Sequence, residues 1–117
     1  MKKIAIISRK QPYGDINSAE AVRHALGAVS DELITVLIMV DGGVLLAKKT
    51  QDVGDTGFTN LAETLKDCTD MGVGVYVDKP SLREQHLEPE DLVEGVRIIN
   101  SSEIAGLIKE ADVSLIF

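Results

Sequence analysis

Cysteine occurs once in this chain of 117 residues, at Cys68, so no internal disulfide and no thiolate metal cluster can form. A reduced compartment is the expectation that follows. Tryptophan is absent, and two Tyr and two Phe give no platform on which bases could stack. Positive charge is scarce as well: 12 Lys and Arg stand against 19 Asp and Glu, a net charge of −7, so no basic track exists for a phosphate backbone. Direct nucleic-acid binding is not expected. The longest apolar run, "LITVLIMV", falls far short of the roughly 20 residues that a membrane-spanning helix needs. The opening "MKK" leads into a strand pattern rather than a signal-peptide core, and the expectation is a soluble cytoplasmic protein without membrane association.

What is present is aliphatic. A hydrophobic fraction of 44% over this length suffices for one core, and residues 1–117 read as a single domain with no repeat, linker or low-complexity stretch. Apolar runs of strand length recur at Lys3–Ser8, Leu33–Val40, Val73–Val77, Val96–Asn100 and Asp112–Phe117. Several are β-branched and nearly continuous, as in strands covered on both faces. The fold class expected is α/β: a three-layer α/β/α sandwich around a mainly parallel five-stranded sheet.

Helix starts are marked by residue pairs at capping-box spacing: Asn17 with Glu20, Asn60 with Glu63, Ser81 with Glu84, and Asn100 with Glu103. Apolar stripes follow, with Val22, Ala25, Leu26 and Val29 in the first helix, Leu61, Leu65 and Cys68 in the second, and Ile104, Leu107 and Ile108 in the last. "GGVLLAKK" after the second strand fits either a helical turn or a loop, and "KKTQDVGDTG", Lys48–Gly57, fits a mobile loop.

In an open α/β sheet, ligands bind beyond the carboxyl ends of the strands. Candidate residues are therefore those of the Ser8–Asn17 connection, Asp41, Asp78 and Asn100, together with the Phe117 carboxylate at the same edge. A pocket rim of Gly14, Asp15, Asp41, Ser81 and Arg83 is predicted there. The first connection joins Arg9 and Lys10 to Gly14 and a helix amino terminus, a combination suited to a small anion or nucleotide, although neither GxGxxG nor GxxxxGK[ST] is present. A long loop ended by a capped helix explains the same residues. Asp41 and Asp78 invite a carboxylate metal pocket of the receiver-domain kind, yet Ser8 and Phe117 stand where that arrangement needs an acid and a lysine. Turn-capping aspartates are the simpler account, and no metal or cofactor is expected.

Cys68 shares a helix face with Leu61 and Leu65, near the helix's carboxyl end, where burial and dipole both oppose a thiolate. It is expected to be inert. His24 and His86 have no partners at metal-ligand spacing.

Four segments together, "KKIAIISRKQPYGDINSAEAVRHAL", "VDGGVLLAKK", "PSLREQHL" and "ADVSLIF", resemble the DsrE/DsrF-like sulfur-relay proteins, within them the DsrF or TusC branch. The resemblance covers nearly the whole chain. It implies a small cytoplasmic subunit of an oligomer: a homotrimer, a homohexamer, or a hetero-oligomer with sister sulfur-relay subunits. It also implies that active members hold a persulfide-forming cysteine at the end of the strand that here reads "VGVYVD". By position that cysteine falls at Val77 or Asp78. The expected function is thus a non-catalytic subunit acting in assembly or partner binding, the alternatives being a persulfide carrier that uses Cys68 and a small-anion or nucleotide module. Asp78 is free to accept from Ser81 or from helix amides, or to pair with Arg83.

Overall fold

A computed structural model describes residues 2–12, 16–49, 51 and 61–117. The aliphatic runs form five strands, β1 (Lys3–Ser8), β2 (Ile34–Met39), β3 (Gly74–Asp78), β4 (Arg97–Ile99) and β5 (Val113–Ile116). Every pairing is parallel and the strand order is β4-β3-β2-β1-β5, so the expected architecture is the one observed. β1 and β2 pair over six residues, from Lys3 opposite Ile34 to Ser8 opposite Met39.

Alternation along the strands divides the core. Ile6, Leu37, Met39, Val75 and Val77 point to one face, where α1 (Asn17–Ser30) and α2 (Leu61–Asp70) cover them with Val22, Ala25, Leu61, Leu65 and Cys68. Ala5, Ile7, Val36 and Ile38 point to the other, beneath Ile104, Leu107 and Ile108 of α4 (Ser101–Glu110). Fully burying one such Leu, Ile or Met contributes about 1.5–3 kcal/mol, which is why the two stripes fix strand register. Crossovers between parallel strands are right-handed. A chain stepping from β1 to β4 in one direction therefore lays its helices on one face, and the return jump to β5 lays α4 on the opposite face. The three layers are the result.

The helix boundaries confirm some of the capping pattern and correct the rest. Asn100 accepts from the Glu103 amide at 2.9 Å while Glu103 reaches back to the Asn100 amide, the expected box. α1 differs: Ile16, at φ −81° and ψ −11°, is the N-cap and Asn17 is already helical. The helix has grown one residue past the predicted cap, and Glu20 pairs instead with Arg23. α3 (Lys79–Glu84) also starts early, because Asp78 rather than Ser81 caps it. Asn60 lies outside the described residues, as does most of Lys48–Gly57. The ambiguous segment after β2 is a 3-10 helix over Asp41–Ala47 that buries Val44, Leu46 and Ala47. Among the described residues, no helix is long and apolar enough to cross a membrane.

Candidate functional site

The carboxyl edge of the sheet collects the ends of β1, β2 and β3. Asp78 is the last residue of β3 and half-buried. Its carboxylate accepts from the Ser81 amide at 3.2 Å and from the Ser81 hydroxyl at 2.6 Å. The same hydroxyl accepts the Asp41 amide at 2.8 Å. Asp41 sits at the end of β2 with φ 51°, a left-handed conformation that short polar residues tolerate. One buried hydroxyl thus joins the ends of two strands and the start of α3, with its donor and its acceptor both engaged.

This geometry sorts the predicted rim residues. Asp41, Asp78 and Ser81 are brought together, and the two aspartates are linked through Ser81 rather than by facing carboxylates. Of the partners open to Asp78, the Ser81 hydroxyl and a helix amide, that of Ser81, are both observed. Arg83 is exposed in the last turn of α3, and the salt bridges among the described residues do not join it to Asp78. Gly14 and Asp15 lie outside the described residues. Val77, the other position onto which the relay cysteine maps, is fully buried in the core.

Cys68 is nowhere near this rim. Its residue is 0% exposed, and its Sγ faces the Val22 carbonyl at 4.0 Å. Burial, with a smaller contribution from the Asp67 charge, pushes the thiol up to about 11. The Val73 amide bonds to the Cys68 carbonyl, which places Cys68 at the amino end of β3. At about 3.3 Å per residue, the span from Gly74 to Asp78 separates it from the rim by roughly 13 Å. His24 lies elsewhere, 5.0 Å from the Phe117 ring, with Nδ1 2.7 Å from the Glu20 carbonyl. His86 is exposed at φ 57° after α3.

Two features of the rim were missed. The first is Gly43: a Cβ there would stand 2.1 Å from the Ser8 carbonyl oxygen, so only glycine lets the 3-10 helix lie on the end of β1. "GGVLL" carried that signal, without saying which backbone approaches. The second concerns Ser8: the residue opens the predicted candidate connection, but its side chain is fully buried and its hydroxyl has no hydrogen-bond partner. No pattern in the sequence marks it, since its environment comes from three separate segments.

Comparison with known proteins agrees with the fold. The chain is 33% identical over 128 residues to the intracellular sulfur oxidation protein DsrF of Allochromatium vinosum, covering 96% of this chain and 93% of that protein. It is 30% identical over 110 residues to an uncharacterized protein of Methanocaldococcus jannaschii, covering 94% and 95% respectively. The crystal structure of the ychN protein from E. coli superposes with a TM-score of 0.91 at 26% identity, over 100% of both chains. A protein of unknown function from Methanobacterium thermoautotrophicum has the same fold, with a TM-score of 0.76 at 13% identity over 100% of both chains. The family model for the DsrE/DsrF-like family matches residues 2–117, and with the fold and the relatives in agreement, this chain belongs to the DsrE/DsrF-like family.

Proposed function

We propose that the chain is a non-catalytic subunit of a cytoplasmic, sulfur-relay type oligomer of the DsrF or TusC kind, working through assembly and partner binding rather than by carrying sulfur itself. One observation carries this reading: the sole thiol is sealed in the core and pushed up to about 11, while the rim position holds a carboxylate committed to capping α3. A persulfide forms on an accessible thiolate. Asp78 has no sulfur to offer, and a carboxylate oxygen does not hold sulfane sulfur. The name of the Allochromatium vinosum relative supports the pathway class.

Surface features favour a role in assembly. β5 is an edge strand with Val113 49% and Ile116 62% exposed, and beside it Ile4, Arg23, His24, Gly27, Ala28 and Leu115 line a recess of about 490 Å³. An edge strand that exposes apolar side chains of this size is usually covered in a native assembly. The partners that fit are further copies, as a trimer or hexamer, or sister relay subunits.

The test combines two measurements on native protein. After incubation with a sulfane-sulfur donor, persulfide-selective alkylation with mass spectrometry leaves Cys68 unmodified, and sedimentation at micromolar concentration gives a species larger than a monomer, alone or with a relay partner. Rapid persulfidation of Cys68 establishes the carrier reading instead. A strict monomer that ignores relay subunits removes the assembly role.

A further inference from the structure

We propose that the junction of β1 and β5 carries a second site, for a small tetrahedral oxyanion, built on the Ser8 hydroxyl beneath the first turn of α1. Among the described residues Ser8 Oγ is the buried side-chain polar atom without a hydrogen-bond partner. The other buried polar side chains are satisfied: Ser18 donates to the Lys10 carbonyl, Thr35 to the Leu33 carbonyl and Ser81 to Asp78. Leaving a buried hydroxyl unpaired costs stability, and such orphans in a folded protein point to a missing partner.

The direction of that hydroxyl follows from alternation. Ile4 and Ile6 pack into the cluster beneath α1, and Ser8, two residues on, points to the same face. α1 runs back along β1, so its first turn lies above the end of that strand. Ser18, buried in that turn, bonds to the Lys10 carbonyl at 3.1 Å and pins the end of the connection against the helix. First-turn amides point out of a helix, and its dipole favours negative charge there. Ile16 occupies the N-cap and has no side-chain oxygen with which to take one of them.

Topology and charge converge on the same place. The strand order reverses direction between β1 and β5, and the crevice beyond the carboxyl ends at such a reversal is where open α/β sheets bind ligands. Backbone bonds fix the end of β1: the Arg9 amide bonds to the Phe117 carbonyl at 3.0 Å, the Gly43 amide to the Arg9 carbonyl at 3.1 Å and the Val40 amide to the Ser8 carbonyl at 3.0 Å. Arg9 and Lys10 follow Ser8 directly and are exposed, and neither enters a salt bridge among the described residues, although the chain carries a net charge of −7. Asp78 lies two strands away, about 10 Å at the usual strand spacing, so its carboxylate does not occupy the site. One ligand oxygen accepts from Ser8 and others from the Ser18 and Ala19 amides of the first turn. Inorganic phosphate and sulfur oxyanions share that chemistry.

Backbone-amide NMR titrations of the full chain with phosphate and, separately, thiosulfate, each against chloride at matched ionic strength, test the site. Saturable shifts at Ser8, Ser18 and Ala19 are expected with at least one anion, and the anion that saturates identifies the source. Ser8→Ala weakens binding about tenfold while raising the melting temperature of the anion-free protein, because the orphan hydroxyl is gone. The surface double variant Arg9→Gln/Lys10→Gln folds regardless of how the core responds, and it weakens binding too. Shifts that merely follow ionic strength, or wild-type affinity in either variant, overturn the proposal and leave an internal water as the partner of Ser8. The outcome does not depend on the reactivity of Cys68.

Discussion

Ser81 donates its hydroxyl hydrogen to Asp78 across 2.6 Å, which spends the rim carboxylate on holding α3 in place. Removing the carboxylate should therefore register as a loss of stability. Asp78→Ala is expected to cost about 1–2 kcal/mol in urea unfolding, the usual range for a lost helix cap. Ser81→Ala should cost a similar amount, since it also orphans the Asp41 amide. Because the two side chains form one unit, the double variant should fall short of the sum by about 1 kcal/mol. Additive losses would show that Asp78 and Ser81 act separately.

The rim position should accept a thiol that works. Asp78→Cys would place sulfur at the half-buried carboxyl end of β3, whereas Cys68 stays buried. A thiol of ordinary acidity has about 100-fold more thiolate at neutral pH than one raised to about 11. Iodoacetamide labelling followed by mass spectrometry should modify the new cysteine at least about 100-fold faster than Cys68. Comparable rates at the two sites would mean that the rim is closed.

Alkaline pH should weaken the fold through Cys68. Its thiol is raised from about 9 to about 11 in the folded chain, so between those values the unfolded state has lost the proton that the folded state keeps. Unfolded chains then bind fewer protons, and stability falls as pH rises, by at most about 1.4 kcal/mol per pH unit. The stabilising effect is complete below pH 9 and lost on passing pH 11. Urea melts of wild type and Cys68→Ala across this window should diverge, with the variant showing the flatter profile.

Neighbouring glycines should behave differently. Gly43→Ala drives a methyl group to 2.1 Å from the Ser8 carbonyl oxygen, an overlap with backbone that side-chain motion cannot relieve. A loss on the order of 3 kcal/mol is expected, at the upper end for overpacking. Gly42→Ala meets the flexible Gln11 Cγ at 3.1 Å and should cost less than about 1 kcal/mol. Thermal melts of the two variants give the comparison.

The sheet was legible because its signals are local. Continuous β-branched runs such as Ile4–Ile7 mark strands covered on both faces, and the Asn100–Glu103 pair marks a helix start whatever surrounds it. Cys68 was legible for the same reason, since helical periodicity alone aligns it with Leu61 and Leu65. Asp78 was placed correctly at the end of its strand, but Ser81 was misread as the cap. A serine or an aspartate satisfies the motif equally well, and the choice depends on where β3 releases the chain. The Asn17 cap failed because Ile16 adopts helical angles, a backbone preference that side-chain spacing does not encode. The burial of Ser8 and the close approach at Gly43 were beyond reach for a deeper reason: what each touches is contributed by segments more than 30 residues apart.

The pairing of β1 with β5 has a temporal consequence. The Lys3 amide bonds to the Asp112 carboxylate at 2.8 Å and the Asp112 amide to the Lys3 carbonyl at 2.8 Å, contacts that span 109 residues. During synthesis at about 5–20 residues per second, one flank of the first strand stays open for roughly 5–20 s until the last strand leaves the ribosome. For that interval the nascent chain presents an unclosed aliphatic ribbon, the kind of surface on which aggregation starts before a folded form exists.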